Sequence, residues 1–128
     1  MDRGSRSFRD LIVWRQAMTL AKECYLLTKS FPREEIYGLT SQIRRASISV
    51  PANIAEGSGR GSRKDYQQFL RIAQGSLREV ETYLLLGVEI EITSPEQTDA
   101  LLKQVESIGK LLRALIRSLD PNPAEPYP

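Results

Sequence analysis

Intervals of four, three, four, three and four residues separate Leu101, Val105, Ile108, Leu112, Leu115 and Leu119. With 3.6 residues per turn, side chains at that spacing gather on one face of a helix. A stripe so narrow is buried by packing against another helix, the seam of a bundle. The chain is therefore constrained to stack helices, and the same period recurs three times upstream.

The spacing predicts a first helix from about Leu11 to Lys29, with Trp14, Ala17, Met18, Ala21, Cys24, Tyr25 and Thr28 turned inward. A second covers Glu34 to Glu56, with Ile36, Leu39, Ile43, Ala46, Val50 and Ile54 on one face. A third runs from Arg63 to Glu89, with Tyr66, Phe69, Leu70, Ala73, Leu77, Val80, Leu84 and Val88 inward.

Punctuation supports these bounds. Ser7 with Asp10, and Ser62 with Asp65, resemble capping boxes before the first and third helices. Ser94-Pro95-Glu96-Gln97 starts the fourth: a serine cap, proline in the first turn, and Gln97 three residues on. Phe31-Pro32 ends the first helix, because a residue before proline leaves the helical region. Pro51 lies inside the second pattern and is expected to kink or split that helix near Ser49-Val50. Gly57-Ser58-Gly59-Arg60-Gly61 then reads as its terminator.

Nothing alternates with period two over a useful length. Four helices of similar length joined by short connections imply an all-α, antiparallel up-down-up-down four-helix bundle over residues 11–119. Residues 1–10 form a lead. Residues 120–128, with four prolines and no periodicity, read as a disordered tail.

Chemistry is constrained by what is missing. The sequence has no histidine, which removes the commonest general base and the commonest metal ligand. Di-metal sites in bundles use Glu-x-x-His pairs, so Glu79, Glu81, Glu89 and Glu91 read as helix surface. The single cysteine, Cys24, excludes an internal disulfide, suits a reducing compartment, and falls on a core face as an inert thiol. The Gly57–Gly61 stretch follows a helix and lacks Gly-Lys-Ser/Thr, so it is no phosphate loop. The expectation is a non-enzyme with no catalytic residue, no cofactor and no metal.

No run nears the roughly 18 apolar residues of a membrane span. The run behind Arg3, Arg6 and Arg9 stops at Trp14, short of a signal-peptide core. A soluble cytoplasmic protein without membrane contact is expected.

The second helix stands apart. From Ile36 to Gly57 only Arg44, Arg45 and Glu56 are charged, three of 22 residues in a chain that is 27% charged. Gln42, Arg45, Ser49, Asn53 and Glu56 form a polar stripe, while Thr40, Ser47, Ile48, Pro51 and Ala55 make a mostly small third face. Helices of monomeric bundles turn a charged face to water, so this one is expected to be buried on more than one side. The inference is a subunit interface through Arg45, Ser47, Ile48, Ser49, Asn53, Ala55 and Glu56.

Net charge is only +2, yet residues 1–64 hold 12 Lys and Arg against 6 Asp and Glu, and the remainder 6 against 10. Arg60, Arg63 and Lys64, joined by Arg44, form a candidate patch for the phosphates of RNA or DNA.

Several runs then carry a resemblance. Phe8 to Ala17, Phe31 to Ala46, Ser49-Val50-Pro51-Ala52-Asn53-Ile54-Ala55-Glu56-Gly57, and Phe69 to Glu79 resemble the four helix bundle protein family, also called the 23S rRNA intervening sequence proteins. The likeness spans about residues 8 to 119. It implies a bacterial four-helix bundle that assembles as a ring-like homopentamer. A related branch, the accessory variability determinant of diversity-generating retroelements, binds nucleic acid and a reverse transcriptase through basic surface. The expected partners are thus copies of the chain itself, then RNA or DNA, with a structural ring that binds another protein as the rival reading.

Overall fold

The computed structural model describes residues 7–121. Those residues contain four long helices and no strand: α1 (Ile12–Thr28), α2 (Leu39–Ser58), α3 (Arg63–Glu89) and α4 (Pro95–Ser118). The tail expected at 120–128 and the lead at 1–10 lie largely outside the described residues.

Each helix packs against two others: α1 on α2, α2 on α3, α3 on α4, and α4 back on α1. The backbones of the diagonal pairs stay farther apart. A four-helix bundle with one central core results. Leu20, Ile43, Val50, Ile54, Leu70, Val80, Leu84, Ile108 and Leu112 are its fully buried large side chains, drawn from all four helices. The seam expected on α4 is buried from Leu101 to Leu112, and Leu115 and Leu119 pack half-buried at its end.

The starts differ in how they are capped. Ser62 Oγ accepts from the Asp65 N–H at 3.1 Å, and Ser94 Oγ from the Gln97 N–H at 3.3 Å, as the sequence predicts. Ser7 does otherwise. It caps a separate 3-10 turn, Phe8–Asp10, and α1 begins after Leu11 with no side-chain cap.

The second helix also starts later than the Glu34 expected. Arg33–Glu35 is a 3-10 turn of its own, and Glu35 Oε1 accepts from the Leu39 N–H at 2.9 Å. A side chain at Gly38 would meet that oxygen at 2.8 Å, so glycine makes room for this cap.

Pro51 does not split α2, which is unbroken to Ser58. Proline removes one donor from the ladder. In the same stretch Asn53 Nδ2 donates to the Ser49 carbonyl oxygen at 2.8 Å and to Ser49 Oγ at 3.0 Å. The Gly57–Gly61 stretch does end the helix, which stops at Ser58 with Gly59 as its C-cap, while Gly57 itself is buried within the last turn. A Cβ there would lie 2.8 Å from Phe69 Cβ and 3.0 Å from Tyr66 Cδ1, so only glycine lets α2 and α3 approach this closely.

Candidate interaction surfaces

The polar stripe of α2 finds partners inside the subunit, on α2 itself, in the turn after it and on α3. Ser76 Oγ donates to Ser49 Oγ at 2.8 Å. Arg45 donates to Gln42 Oε1 at 2.8 Å and stands 3.8 Å from a Glu79 carboxylate oxygen. Glu56 pairs with Arg60 at 3.0 Å. These groups need no second subunit, although Arg45 and Glu56 remain exposed at their edges.

The small third face divides in two. Thr40, Ser47 and Pro51 are buried within the subunit, and Ser47 is 0% exposed with its hydroxyl donating to the Arg44 carbonyl oxygen at 3.0 Å. The expectation that Ser47 meets another copy is corrected here. Its turn of helix faces α1, and an arginine at 47 would enter the core instead of an interface. Ile48, 47% exposed, and Ala52 and Ala55 remain at the surface.

Those three line one wall of a groove of about 520 Å³ between α1 and α2. The other wall is Trp14, Met18, Lys22 and Tyr25 from α1, Pro51 lies in the floor, and Phe8 closes one end. Phe8 and Trp14 meet edge to face with centroids 5.2 Å apart. Among the described residues of the lining, Lys22 is the only charged one.

Sequence reasoning assigned Trp14, Met18 and Tyr25 to the core. Of the face expected to turn inward, Ala17, Ala21, Cys24 and Thr28 are buried, joined by Val13 and Leu20; Trp14 packs half-buried against the core, and only Met18 and Tyr25 are exposed. The available signal was that α1 is apolar on more than one side, since Ile12, Met18 and Leu26 also stand at the surface.

The candidate cations do not form one patch. Arg44 sits in the first half of α2, where its Nε donates to Thr28 Oγ1 at 2.8 Å and its guanidinium lies 4.7 Å over the Tyr25 ring. About 20 Å of helix separates it from the turn that holds the others. Arg60 pairs with Glu56 and lies 4.7 Å over the Phe69 ring. Arg63 and Lys64, exposed at the start of α3, make no ion pair among the described residues.

Cys24 is wholly buried, and burial pushes its thiol up to about 12, against the lesser pull of a hydrogen bond with Ser47. A thiol so protonated is a poor nucleophile. Among the described residues no three His, Cys, Asp or Glu side chains gather to hold a metal ion, and no helix is long and apolar enough to cross a membrane.

Residues 9–114 match the profile of the 23S rRNA-intervening sequence protein family. Among solved structures, the chain is similar to a protein of unknown function from the S23 ribosomal protein family of Bacteroides thetaiotaomicron. The two are 27% identical with a TM-score of 0.75, over 83% of this chain and 99% of that one. No curated protein matches.

Proposed function

The chain belongs to the 23S rRNA-intervening sequence protein family, and from that footing we propose that it works without catalysis, as a module that assembles with its own copies and offers a basic turn to RNA or DNA. One observation carries the assembly: the groove between α1 and α2 leaves Trp14, Met18, Tyr25 and Ile48 partly uncovered beside the helix poorest in charge. Contiguous apolar surface of this kind marks an interaction site. The resemblance noted in the sequence makes five the expected number of subunits.

Ala55→Arg places a long cation at the groove wall without entering the core. Light scattering at micromolar concentration is expected to find an oligomer for the wild type and a monomer for the variant, with the helical circular dichroism kept. A monomeric wild type overturns the assembly.

The nucleic-acid contact rests on Arg63 and Lys64, with Arg60 beside them. Phosphate-directed binding releases counterions, so affinity is expected to fall steeply with salt and to disappear when all three become alanine. Affinity indifferent to salt, or retained by the triple variant, removes these residues. A rival reading, a structural ring that binds another protein without nucleic acid, draws support from Arg60, whose charge is already spent on Glu56. Salt-sensitive RNA or DNA binding decides between the two.

A further inference from the structure

Three cations share one small cavity at the corner where α1 ends and α2 begins. Lys29, Arg33 and Arg44 line it together with Thr28 and Thr40, around a volume of about 230 Å³, and no acidic residue is among its described lining. None of the three makes an ion pair among the described residues, whereas Arg15, Arg45, Arg60 and Arg78 each stand beside a carboxylate. Glu35, close by in sequence, is engaged on the Leu39 N–H at 2.9 Å. Like charges gathered in one cavity repel, and an anion between them reverses the sign of that energy.

Arg44 is the fixed member. Its Nε donates to Thr28 Oγ1 at 2.8 Å, and Thr28 in turn donates to the Cys24 carbonyl oxygen at 2.8 Å. Its guanidinium also lies 4.7 Å from the centre of the Tyr25 ring. The side chain is thus half-buried and held from two sides, while Nη1 and Nη2 donate to no acceptor among the described residues. A guanidinium presented in this way suits the oxygens of a phosphate. Thr40 points to a ligand independently. It is only 5% exposed and borders the cavity, yet its hydroxyl makes no hydrogen bond among the described residues. Leaving a buried hydroxyl without a partner is costly. Thr40 also stands in the first turn of α2, where leading N–H groups lack carbonyl partners and favour an anion. The opposite pole of α1 is blunted, because the Leu27 and Thr28 carbonyl oxygens accept from the Ser30 and Phe31 N–H groups.

We propose that this cavity binds the phosphate of a small phosphate monoester, with Arg44 as its preorganised donor, Thr40 beneath it, and Lys29 and Arg33 at its mouth. Charge selects the class: a monoester carries close to two negative charges above neutral pH, and a diester only one. Phe31, Pro32 and Ile36 complete the wall with apolar surface, which suits an organic group on the phosphate. The cavity shares no lining residue with the groove between α1 and α2. From Thr40 to Arg60 is about 30 Å of helix, so the basic turn is remote as well. Assembly, nucleic-acid contact and this site can therefore fail separately.

The intact chain is titrated with phenyl phosphate, inorganic phosphate and dimethyl phosphate at about pH 8, where a monoester is dianionic. Each probe is followed by its phosphorus resonance. Phenyl phosphate is expected to bind most tightly, inorganic phosphate less so, and dimethyl phosphate about ten-fold more weakly than phenyl phosphate or worse. Arg44→Gln is expected to weaken phenyl phosphate about ten-fold, and Lys29→Gln, at an exposed position, about three-fold. Arg63→Gln, at the far end of the bundle, is expected to leave it unchanged. A wild type that binds none of the probes at millimolar concentration overturns the site. So does binding that survives Arg44→Gln and Lys29→Gln, or that weakens as much with Arg63→Gln. Inorganic or dimethyl phosphate bound as tightly as phenyl phosphate overturns the choice of a monoester. Lys29→Gln decides alone if Arg44→Gln loses its helical circular dichroism.

Discussion

Ser47 and Ile48 are adjacent in sequence, yet one is sealed inside the subunit and the other is half open to solvent. The boundary runs through individual residues, and so do their energetics. Cys24 lies against Ser47 with its thiol raised from the ordinary 9.0 to about 12. Below pH 9 the thiol is protonated whether the chain is folded or not, and its burial favours the fold in full. As pH rises from 9 toward 12 only the unfolded chain ionises, so that contribution is progressively lost. Urea midpoints are expected to fall across this window, and to fall less for Cys24→Ala. A thiol reagent at pH 8 is expected to label Cys24 only at the rate of opening. Glu91 offers a change of opposite sign. Its φ of 63° is left-handed, and it closes α3 with its N–H donating to the Val88 carbonyl oxygen while the Ile92 N–H donates to that of Gly87. That is a Schellman cap, which glycine fills without steric cost. Glu91→Gly is expected to stabilise the chain by about 0.5–1 kcal/mol in urea unfolding.

At the scale of the helix, four elements and the starts of two were legible because period and caps agree. The seam of α4 and the serines at 62 and 94 are local signals, and local signals survive folding. What was not legible depended on neighbours. Trp14 and Val13 are both apolar, and only the positions of α2 and α4 decide which one α1 buries. The polar stripe of α2 did not name its neighbours within the subunit, Ser76 and Glu79 on α3, because those meet it only through the fold. The Gly57–Gly61 stretch was legible as a stop, and α2 ends within it at Ser58, but the close approach of α3 at Gly57 was not legible. Gly57→Ala would force a methyl to 2.8 Å from Phe69 Cβ, and the clash cannot be relieved by a flexible side-chain end. It is expected to destabilise the chain by about 1–3 kcal/mol, read as a lower urea midpoint. The same change at Gly61, where a Cβ meets nothing within 4 Å, serves as the control.

For the whole molecule, the sequence pattern carried the number of helices and their common core, but not the division of its surface. Arg44, grouped with Arg60, Arg63 and Lys64 on charge alone, lies most of a helix away. Short connections do account for neighbours in the chain being neighbours in space. The contact of α4 with α1, sealed in part by Ser107 Oγ donating to Gln16 Oε1 at 3.0 Å across 91 residues, is the one joint that chain order did not require. It closes the helices into a cycle, and a cycle has no preferred beginning. The bundle's stability then resides in which helices touch and not in the order of their synthesis. A circular permutant tests this: new ends between Gly59 and Ser62, in an exposed turn, with residue 121 joined to residue 7 by about ten Gly and Ser residues. Its helical circular dichroism is expected to equal that of the wild type, with the urea midpoint lowered only slightly, whereas the same cut made within α2 at Val50 is expected to abolish folding.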